Sequence, residues 1–454
     1  MSTATSASPH LKRQLGLWSA TALVVGEVIA VGIFLTPAQM SKSIGSPFWI
    51  AIVWLAIGAM SLCGALCYGE LAARYPEAGG GYVYLREAYG PRLAFLYGWE
   101  SFLVMDPGLT AALAVGLASY AGYIVHLSPL GTKVVALAGI WGLAAANILG
   151  IRAGAALMRW LTFLKLGLLA LIILWATLGG LGNWSNLLPL VAQREGSAPL
   201  VGALAGGLIA AFFSFGGWWD MSKLAGEVRE PAKTLPRALA LGVIGVTVVY
   251  LLTSLVFLYL VPVESVASDE TFAAQAGEVL FGRIGGQVFS AIVIIAVLGS
   301  LAAVIMSAPR VYYAMARDHL FVPAAAVIHP RFGTPTRAIA LQALMASLLV
   351  ALGTFRTIIG YFVFITVVFV GLTVVAVFIL RRRAGPSAYT MPGYPVTPII
   401  FLILVGVLLV LQAIGNPLQS FLGVAVVAAG LPVYQLFFRK RKQTHDLDQN
   451  RADE

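Results

Sequence analysis

The sequence predicts an all-α polytopic membrane protein with about twelve transmembrane helices. Of its 454 residues, 59% are hydrophobic and only 11% are charged, and the mean hydropathy is +0.89. A soluble domain of this length does not have that composition. Apolar stretches of about 20 residues, the length that crosses roughly 30 Å of hydrocarbon, recur along almost the whole chain.

The predicted spans begin at about residues 15, 47, 91, 133, 157, 198, 236, 285, 336, 357, 396 and 418. Spans 3 and 8, at about 91–126 and 285–318, are too long to stand upright and are expected to tilt. The connections between spans are short, so no soluble domain is expected. No small-residue cleavage site follows the first apolar run, so we expect span 1 to stay in the mature protein.

Basic residues fall in alternate connections, including Lys12–Arg13, Arg152–Arg159, Lys223–Arg237 and Arg381–Arg383. The positive-inside bias predicts that these connections and both termini are cytoplasmic. The intervening connections contain few Lys or Arg, so the net charge of +10 does not indicate a nucleic-acid surface. The two cysteines, Cys63 and Cys67, have neither zinc nor disulfide-framework spacing, and no metal or cofactor is predicted.

Two spans are interrupted by glycine. Span 1 contains the segment Gly26–Phe34 with the sequence Gly-Glu-Val-Ile-Ala-Val-Gly-Ile-Phe, and span 6 contains Gly216-Gly217. Unpaired backbone is tolerated at membrane depth only where protein or a watery cavity covers it. Two broken spans in corresponding places therefore predict one shared site near the bilayer midplane, as in secondary transporters that work by alternating access.

Each broken span comes first in a block of five spans, and an odd number of spans inverts the second block relative to the first. The sequence therefore predicts a five-plus-five inverted repeat. The predicted division is an N-terminal tail (1–14), a first repeat (15–185), a second repeat (196–383), two appended helices (396–438) and a C-terminal tail (439–454).

Four segments carry a family resemblance. Residues 64–90 (GALCYGELAARYPEAGGGYVYLREAYG), 226–237 (GEVREPAKTLPR), 310–318 (RVYYAMARD) and 329–335 (HPRFGTP) resemble motifs of the amino acid/polyamine/organocation transporter superfamily. The nearest likeness is to bacterial relatives of the L-type amino acid transporter branch. The resemblance implies a LeuT-type fold and a sodium-independent antiporter, most simply an exchanger of neutral L-amino acids.

At the breaks, backbone groups are expected to bind the constant part of an amino acid. The amides of Val31, Gly32 and Ile33 suit a carboxylate, and carbonyls near Gly26, Val28 and Phe213–Phe215 suit the ammonium. The predicted substrate site comprises Gly26, Glu27, Val28, Ile29, Ala30, Val31, Gly32, Ile33, Asp106, Phe213, Ser214, Phe215, Gly216, Gly217 and Trp219. The alternative for the glycines is close helix packing.

The resemblance also concerns side chains at the two breaks. One segment departs from the family pattern, and one aromatic residue matches it. Ala30-Val31-Gly32 stands where the family commonly has Gly-Ser-Gly, which removes a hydroxyl and narrows the cavity. The resemblance makes Phe213 a lid over the substrate, whereas ordinary packing or interfacial anchoring is the alternative, and packing is expected for Trp218.

Lys165 lies well inside span 5, where a charge costs at least about 2.5 kcal/mol unless it is paired or near water. The resemblance implies that its ammonium takes the place of a sodium ion between spans 1 and 8, facing span 1 carbonyls and Ser307. The alternative is a snorkelling side chain that reaches the interface beside Arg159.

Four acids lie at membrane depth: Glu27, Glu100, Asp106 and Asp220. Glu27 and Asp106 are candidates for binding a cationic side chain or relaying protons, while pairing with Lys165 or backbone donors is the alternative. Pairing is the expectation for Glu100 and Asp220. The alternative function is therefore a proton-coupled or exchange transporter of cationic amino acids or polyamines.

Other function classes have less support. No metalloprotease, nucleophile-elbow or phosphate-loop motif is placed for catalysis, so no enzyme is predicted. A channel would need a filter motif, and a receptor would need an effector domain. Animal members of the L-type branch attach to a glycoprotein heavy subunit through a cysteine in the connection after span 3, and the connection at about 126–133 has no cysteine. The resemblance therefore implies a monomer or homodimer without a covalent heavy subunit, in a bacterial inner membrane.

Overall fold

The computed structural model describes residues 11–262, 272–352, 355–385 and 387–438, and that part of the chain is built from helices. The α-helices are α1 (Leu17–Val28), α2 (Gly32–Ile44), α3 (Pro47–Arg74), α4 (Gly81–Tyr89), α5 (Pro91–Glu100), α6 (Asp106–Ile124), α7 (Pro129–Ile148), α8 (Ile151–Leu178), α9 (Leu200–Phe215), α10 (Pro231–Leu260), α11 (Phe272–Phe281), α12 (Gly285–Ser307), α13 (Pro309–Arg317), α14 (Thr336–Leu352), α15 (Phe355–Ala384), α16 (Val396–Gly415) and α17 (Pro417–Val433). The predicted span starts agree closely with these bounds. Span 5 was expected from about residue 157 and is observed from Ile151, and the apolar segment that contains span 8 begins at Gln275 and not at about residue 285.

Proline and glycine mark many helix ends. Proline is the first residue of α3, α5, α7, α10, α13 and α17, where its missing N–H would have no helical partner in any case. Gly90 and Gly150 precede helices with φ values of 90° and 137°, which residues with a side chain rarely adopt. Local chemistry thus sets several of the boundaries.

Ten described helical segments are long and apolar enough to cross a membrane, and Leu17–Val28 and Thr336–Leu352 are shorter apolar helices. The chain is therefore an all-helical, polytopic membrane protein. The segments Pro91–Ile124 and Gln275–Arg317 have 34 and 43 residues, which confirms that spans 3 and 8 are long. Residues 1–10 and 439–454 of the predicted tails lie outside the described residues.

Both predicted helix breaks are present. The chain leaves α1 after Val28 and re-enters a helix at Gly32, so the first break is shorter than predicted and Gly26 lies within α1. Helix α9 ends at Phe215, and a 3₁₀ helix, Trp218–Glu227, follows Gly216-Gly217. Gly217 has a φ of 106°, in the left-handed region that glycine reaches without a steric penalty.

A π-helical turn, Ser101–Met105, joins α5 to α6 into one long span. Pro107 follows directly, and proline cannot donate the backbone hydrogen bond that a regular α-helix would need there. Widening the preceding turn is one way to accommodate this, and such turns occur often at functional sites. The turn brings Met105 to the interior of the protein.

The broken helices lie in the interior of the bundle. Helix α1 contacts α8, α10 and α12, and α2 packs against α9. Helices α16 and α17 instead expose large apolar side chains such as Ile403, Ile414, Leu418 and Phe421. That exposure suits helices that face lipid, because lipid does not penalise an apolar surface.

A candidate binding site between the two broken helices

The two helix breaks contact each other through glycine. A Cβ atom built on Gly32 would lie 2.8 Å from Ser214 Cα, and one built on Gly217 would lie 2.9 Å from Glu27 Cγ. Both distances are shorter than real Cβ atoms tolerate. The glycines therefore allow one break to approach the other closely. This contact also agrees with the alternative that the glycines serve close helix packing.

A cavity of about 60 Å³ lies at this contact. Its lining residues are Glu27, Val28, Ala30, Val31, Gly32, Met105, Leu109, Ala112, Leu113, Phe212, Phe213, Ser214, Gly216, Gly217, Trp219, Asp220 and Thr366. At roughly 10–15 Å³ of such volume per water molecule, it has room for only a few waters. The breaks thus enclose a small, mostly apolar space.

Ten of the fifteen residues of the predicted substrate site line this cavity, namely Glu27, Val28, Ala30, Val31, Gly32, Phe213, Ser214, Gly216, Gly217 and Trp219. Gly26, Ile29, Ile33, Phe215 and Asp106 do not. Gly26 instead lies against the Thr162 side chain, and Phe215 packs against Trp54 and Tyr250.

The start of α2 offers unpaired donors to the cavity. The first N–H groups of a helix have no partner within it, and they carry partial positive charge. No side chain caps the start of α2, and Val31 and Gly32 at this end line the cavity. This geometry is able to hold a small anion such as a carboxylate.

Several carbonyls predicted to face the substrate ammonium have donors within the protein, and the Gly26 carbonyl has two. The Gly26 carbonyl accepts hydrogen bonds from Lys165 Nζ at 2.8 Å and from Ser300 Oγ at 2.7 Å. The Tyr250 hydroxyl lies 2.6 Å from the Val28 carbonyl and 2.8 Å from that of Ser214. One hydroxyl hydrogen is thus shared between the ends of α1 and α9.

Lys165 is fully buried, and its ammonium lies inside a cage of oxygen atoms. Its Nζ donates to the carbonyls of Gly26, Ile29 and Ala296 at 2.8, 2.6 and 2.9 Å, and lies 3.1 Å from Ser300 Oγ. The snorkelling alternative does not describe this geometry. The guanidinium of Arg159 bonds to Ser19 Oγ instead.

The serine beside Lys165 is Ser300, and the prediction of Ser307 is wrong. Ser307 Oγ bonds to the Val304 carbonyl. Seven residues are about two helical turns, so both serines share a face of α12 but lie roughly 10 Å apart along its axis. Only Ser300 is level with the break in the first span.

Asp106 is not a cavity residue, contrary to the prediction. Lys223 Nζ donates to Asp106 Oδ1 at 2.7 Å, and the Tyr312 hydroxyl donates to Asp106 Oδ2 at 3.2 Å. Lys223 was expected in a cytoplasmic connection, yet its side chain is only 1% exposed. The 3₁₀ helix after the second break turns Lys223 inward, where Asp106 compensates its charge.

Glu27 and Asp220 are the two acids that line the cavity. Glu27 is 4% exposed, and its Oε1 has no hydrogen-bond partner among the described residues. Asp220 Oδ1 lies 3.0 Å from Lys223 Nζ. Glu100 is paired behind the cavity wall, where its Oε1 accepts from Thr366 Oγ1 at 3.2 Å.

The aromatic residues divide between the cavity and the core. Phe213 lines the cavity, and Phe212 stacks on Trp219 with ring centroids 6.3 Å apart. Trp218 packs against Tyr68 in the core, as expected. Among the described residues, no group of His, Cys, Asp or Glu is arranged to hold a metal ion.

Sequence reasoning missed seven lining residues: Met105, Leu109, Ala112, Leu113, Phe212, Asp220 and Thr366. The first four recur at intervals of four, three and one residues, which places them on one helical face. That spacing next to Asp106-Pro107 was a usable signal. Nothing local marks Thr366, which α15 brings to the cavity from the far end of the chain.

Comparison with known proteins adds to the observations from sequence and structure. The sequence profile described as amino acid permease matches residues 15–434. The serine/threonine exchanger SteT of Bacillus subtilis is 31% identical over 439 residues, which cover 95% of this chain and 98% of the relative.

Two mammalian relatives are similar over almost the same length. Large neutral amino acids transporter small subunit 2 of Rattus norvegicus is 28% identical over 436 residues, covering 94% of this chain and 81% of that protein. Asc-type amino acid transporter 1 of Homo sapiens is 28% identical over 448 residues, which cover 97% of this chain and 86% of that protein.

Proposed function

Because the chain belongs to the amino acid permease family of the amino acid/polyamine/organocation superfamily, we propose that it is a sodium-independent exchanger of neutral L-amino acids. The similar proteins named above support this proposal, since they are called exchangers or transporters of serine and threonine or of large neutral amino acids. None of these names is that of an enzyme.

The observation that carries sodium independence is the cage around Lys165. Four oxygen atoms, three of them carbonyls, lie 2.6–3.1 Å from its Nζ. Carbonyl and hydroxyl oxygens of this kind are what a broken transporter helix offers a sodium ion. An ammonium that already occupies them leaves no place for the ion.

Substrate binding follows from the two breaks. The carboxylate of the amino acid binds the amides at the start of α2, from Val31 to Ile33. The ammonium faces the end of α9, where the Phe213 carbonyl accepts one bond from the Gly216 amide at 3.1 Å and keeps a second lone pair. Phe213 closes over the site as an apolar lid.

The membrane arrangement completes the proposal. Twelve spans form a LeuT-type fold, with repeats at 15–185 and 196–383 and appended helices at 396–438. Both termini are cytoplasmic, in a bacterial inner membrane. The chain works as a monomer or homodimer without a covalent heavy subunit, because no cysteine occurs at about 126–133.

The alternative, a carrier of cationic amino acids or polyamines, has less support than the sequence suggested. Of the two acids invoked for it, Asp106 is already paired with Lys223. Glu27 alone still faces the cavity.

Exchange in liposomes tests the proposal. Purified protein is reconstituted in liposomes loaded with a labelled neutral amino acid, and efflux is started with external amino acids or amines, with and without sodium. We expect efflux to require an external amino acid, to be driven by neutral amino acids, and to have the same rate in both buffers. Equal efflux without external substrate would refute exchange, and strict sodium dependence would refute the role of Lys165.

A further inference from the structure

The cavity walls are chemically uneven. Most of the lining is apolar, including Val31, Leu109, Leu113, Phe213 and Trp219, whereas carboxylates enter only from Glu27 and Asp220. Burying an ionisable group in such a wall is costly, so a structure that retains one needs an interaction to compensate it.

Glu27 has an acceptor that no described residue uses. Glu27 is only 4% exposed, and its Oε1 has no hydrogen-bond partner among the residues that the structure describes. Its Cγ lies next to Gly217, where a Cβ would come within 2.9 Å. Because Glu27 also lines the cavity, this oxygen is within reach of a molecule that occupies it.

The nearby lysine does not supply the missing donor. Lys223 Nζ donates to Asp106 Oδ1 at 2.7 Å and lies 3.0 Å from Asp220 Oδ1. Two carboxylates, those of Asp106 and Asp220, thus lie at this ammonium. Glu27 Oε1 has no hydrogen-bond partner among the described residues, so it is available to a donor on a ligand.

We propose that Glu27, with Asp220 beside it, forms an acceptor subsite that selects amino acids whose short side chain carries a hydrogen-bond donor, either a hydroxyl or an ammonium. The backbone of both breaks binds the constant part of the substrate, so the Glu27 carboxyl is available to contact the substrate side chain. A cavity of about 60 Å³ favours a short side chain over a long one. This inference rests on the proposed function.

Isosteric substrates test the subsite in the unaltered protein. Threonine and valine have nearly the same shape and differ in a hydroxyl, and 2,3-diaminopropionate adds an ammonium to alanine. Valine cannot make the hydrogen bond that the threonine hydroxyl makes, so we expect threonine to be exchanged at least about tenfold more efficiently than valine. Equal exchange of valine, threonine and diaminopropionate would overturn the inference.

Two variants distinguish the donors. Glu27→Leu removes the acceptor and should abolish any preference for threonine over valine, measured as the ratio of the two exchange rates in the same variant. Glu27→Gln keeps an amide oxygen as an acceptor but removes the charge. It should therefore keep the threonine preference if the hydroxyl is recognised, and lose diaminopropionate exchange if the ammonium is recognised.

Glu100→Gln is the matched control, because Glu100 is equally buried but does not line the cavity. Its threonine-to-valine ratio should stay as in the unaltered protein. A wild-type preference that survives Glu27→Leu would assign the selection to another residue and contradict the inference. Absence of any amino acid exchange by the wild type would instead refute the proposed function.

Discussion

Replacing Lys165 by methionine tests the central feature of the site. Methionine keeps most of the side-chain volume and removes the ammonium, which donates to the carbonyls of Gly26, Ile29 and Ala296. Ser300 Oγ lies 2.7 Å from the Gly26 carbonyl and 2.9 Å from that of Ile29, so it keeps one of them paired. The Ala296 carbonyl lies within α12 and keeps its helical partner, the Ser300 amide. One of the three carbonyls therefore loses its donor.

A buried acceptor left without a partner costs about 1–3 kcal/mol. Relief of the cost of burying the ammonium offsets part of this loss. We therefore expect a clear fall in the midpoint of thermal unfolding in detergent. We also expect exchange at least about tenfold slower, because about 1.4 kcal/mol at the break corresponds to a factor of ten.

Lys133→Met is the matched control. Lys133 is exposed, and its Nζ makes one contact, to the Ala351 carbonyl at 2.9 Å. This variant should unfold and exchange like the wild type. The reasoning is refuted if Lys165→Met matches its control in both stability and sodium-free exchange.

Three further substitutions probe the breaks and their surroundings. Gly217→Ala places a methyl group 2.9 Å from Glu27 Cγ at a φ of 106°, which costs about 1–2 kcal/mol in backbone strain alone. It should abolish exchange, whereas Gly142→Ala, which meets no atom within 4 Å, should not. Tyr250→Phe removes the hydroxyl that the Val28 and Ser214 carbonyls share. We expect the free energy of unfolding to fall by about 1–3 kcal/mol and the KM for exchange to rise. An unchanged KM would contradict the view that this hydroxyl aligns the two breaks. Arg310→Met leaves Glu227 buried without its partner at 2.8 Å, which should cost about 3–5 kcal/mol in unfolding measurements; a variant as stable as the wild type would contradict the pairing.

Helix positions and helix breaks were largely predictable from local sequence. The span starts follow from runs of apolar residues and from the prolines and glycines that bound them. The break at Gly216-Gly217 was found directly, because two consecutive glycines interrupt an otherwise apolar helix. The break in the first span was placed too broadly. Gly26 remains helical, and its lack of a side chain allows the Thr162 side chain to pack against it.

The partners of the buried charges were not predictable in the same way. Asp106 was expected to face the substrate, yet it forms an ion pair with Lys223, which lies 117 residues later in the sequence. Ser300 and Ser307 lie on one face of α12, so spacing alone did not tell them apart. Tyr250 carries no local signal, although its hydroxyl lies between the ends of two broken helices.

The sequence by itself determined that the chain is a membrane protein, where its helices run and where two of them break. Those properties depend on hydrophobicity and backbone geometry within about 20 residues. Only the tertiary structure decided that Ser300 is the serine beside Lys165, and that Glu27 Oε1 has no hydrogen-bond partner among the described residues. The physical reason is that buried charges are stabilised by whichever polar groups the packed helices bring within about 3 Å, and sequence distance does not limit that choice.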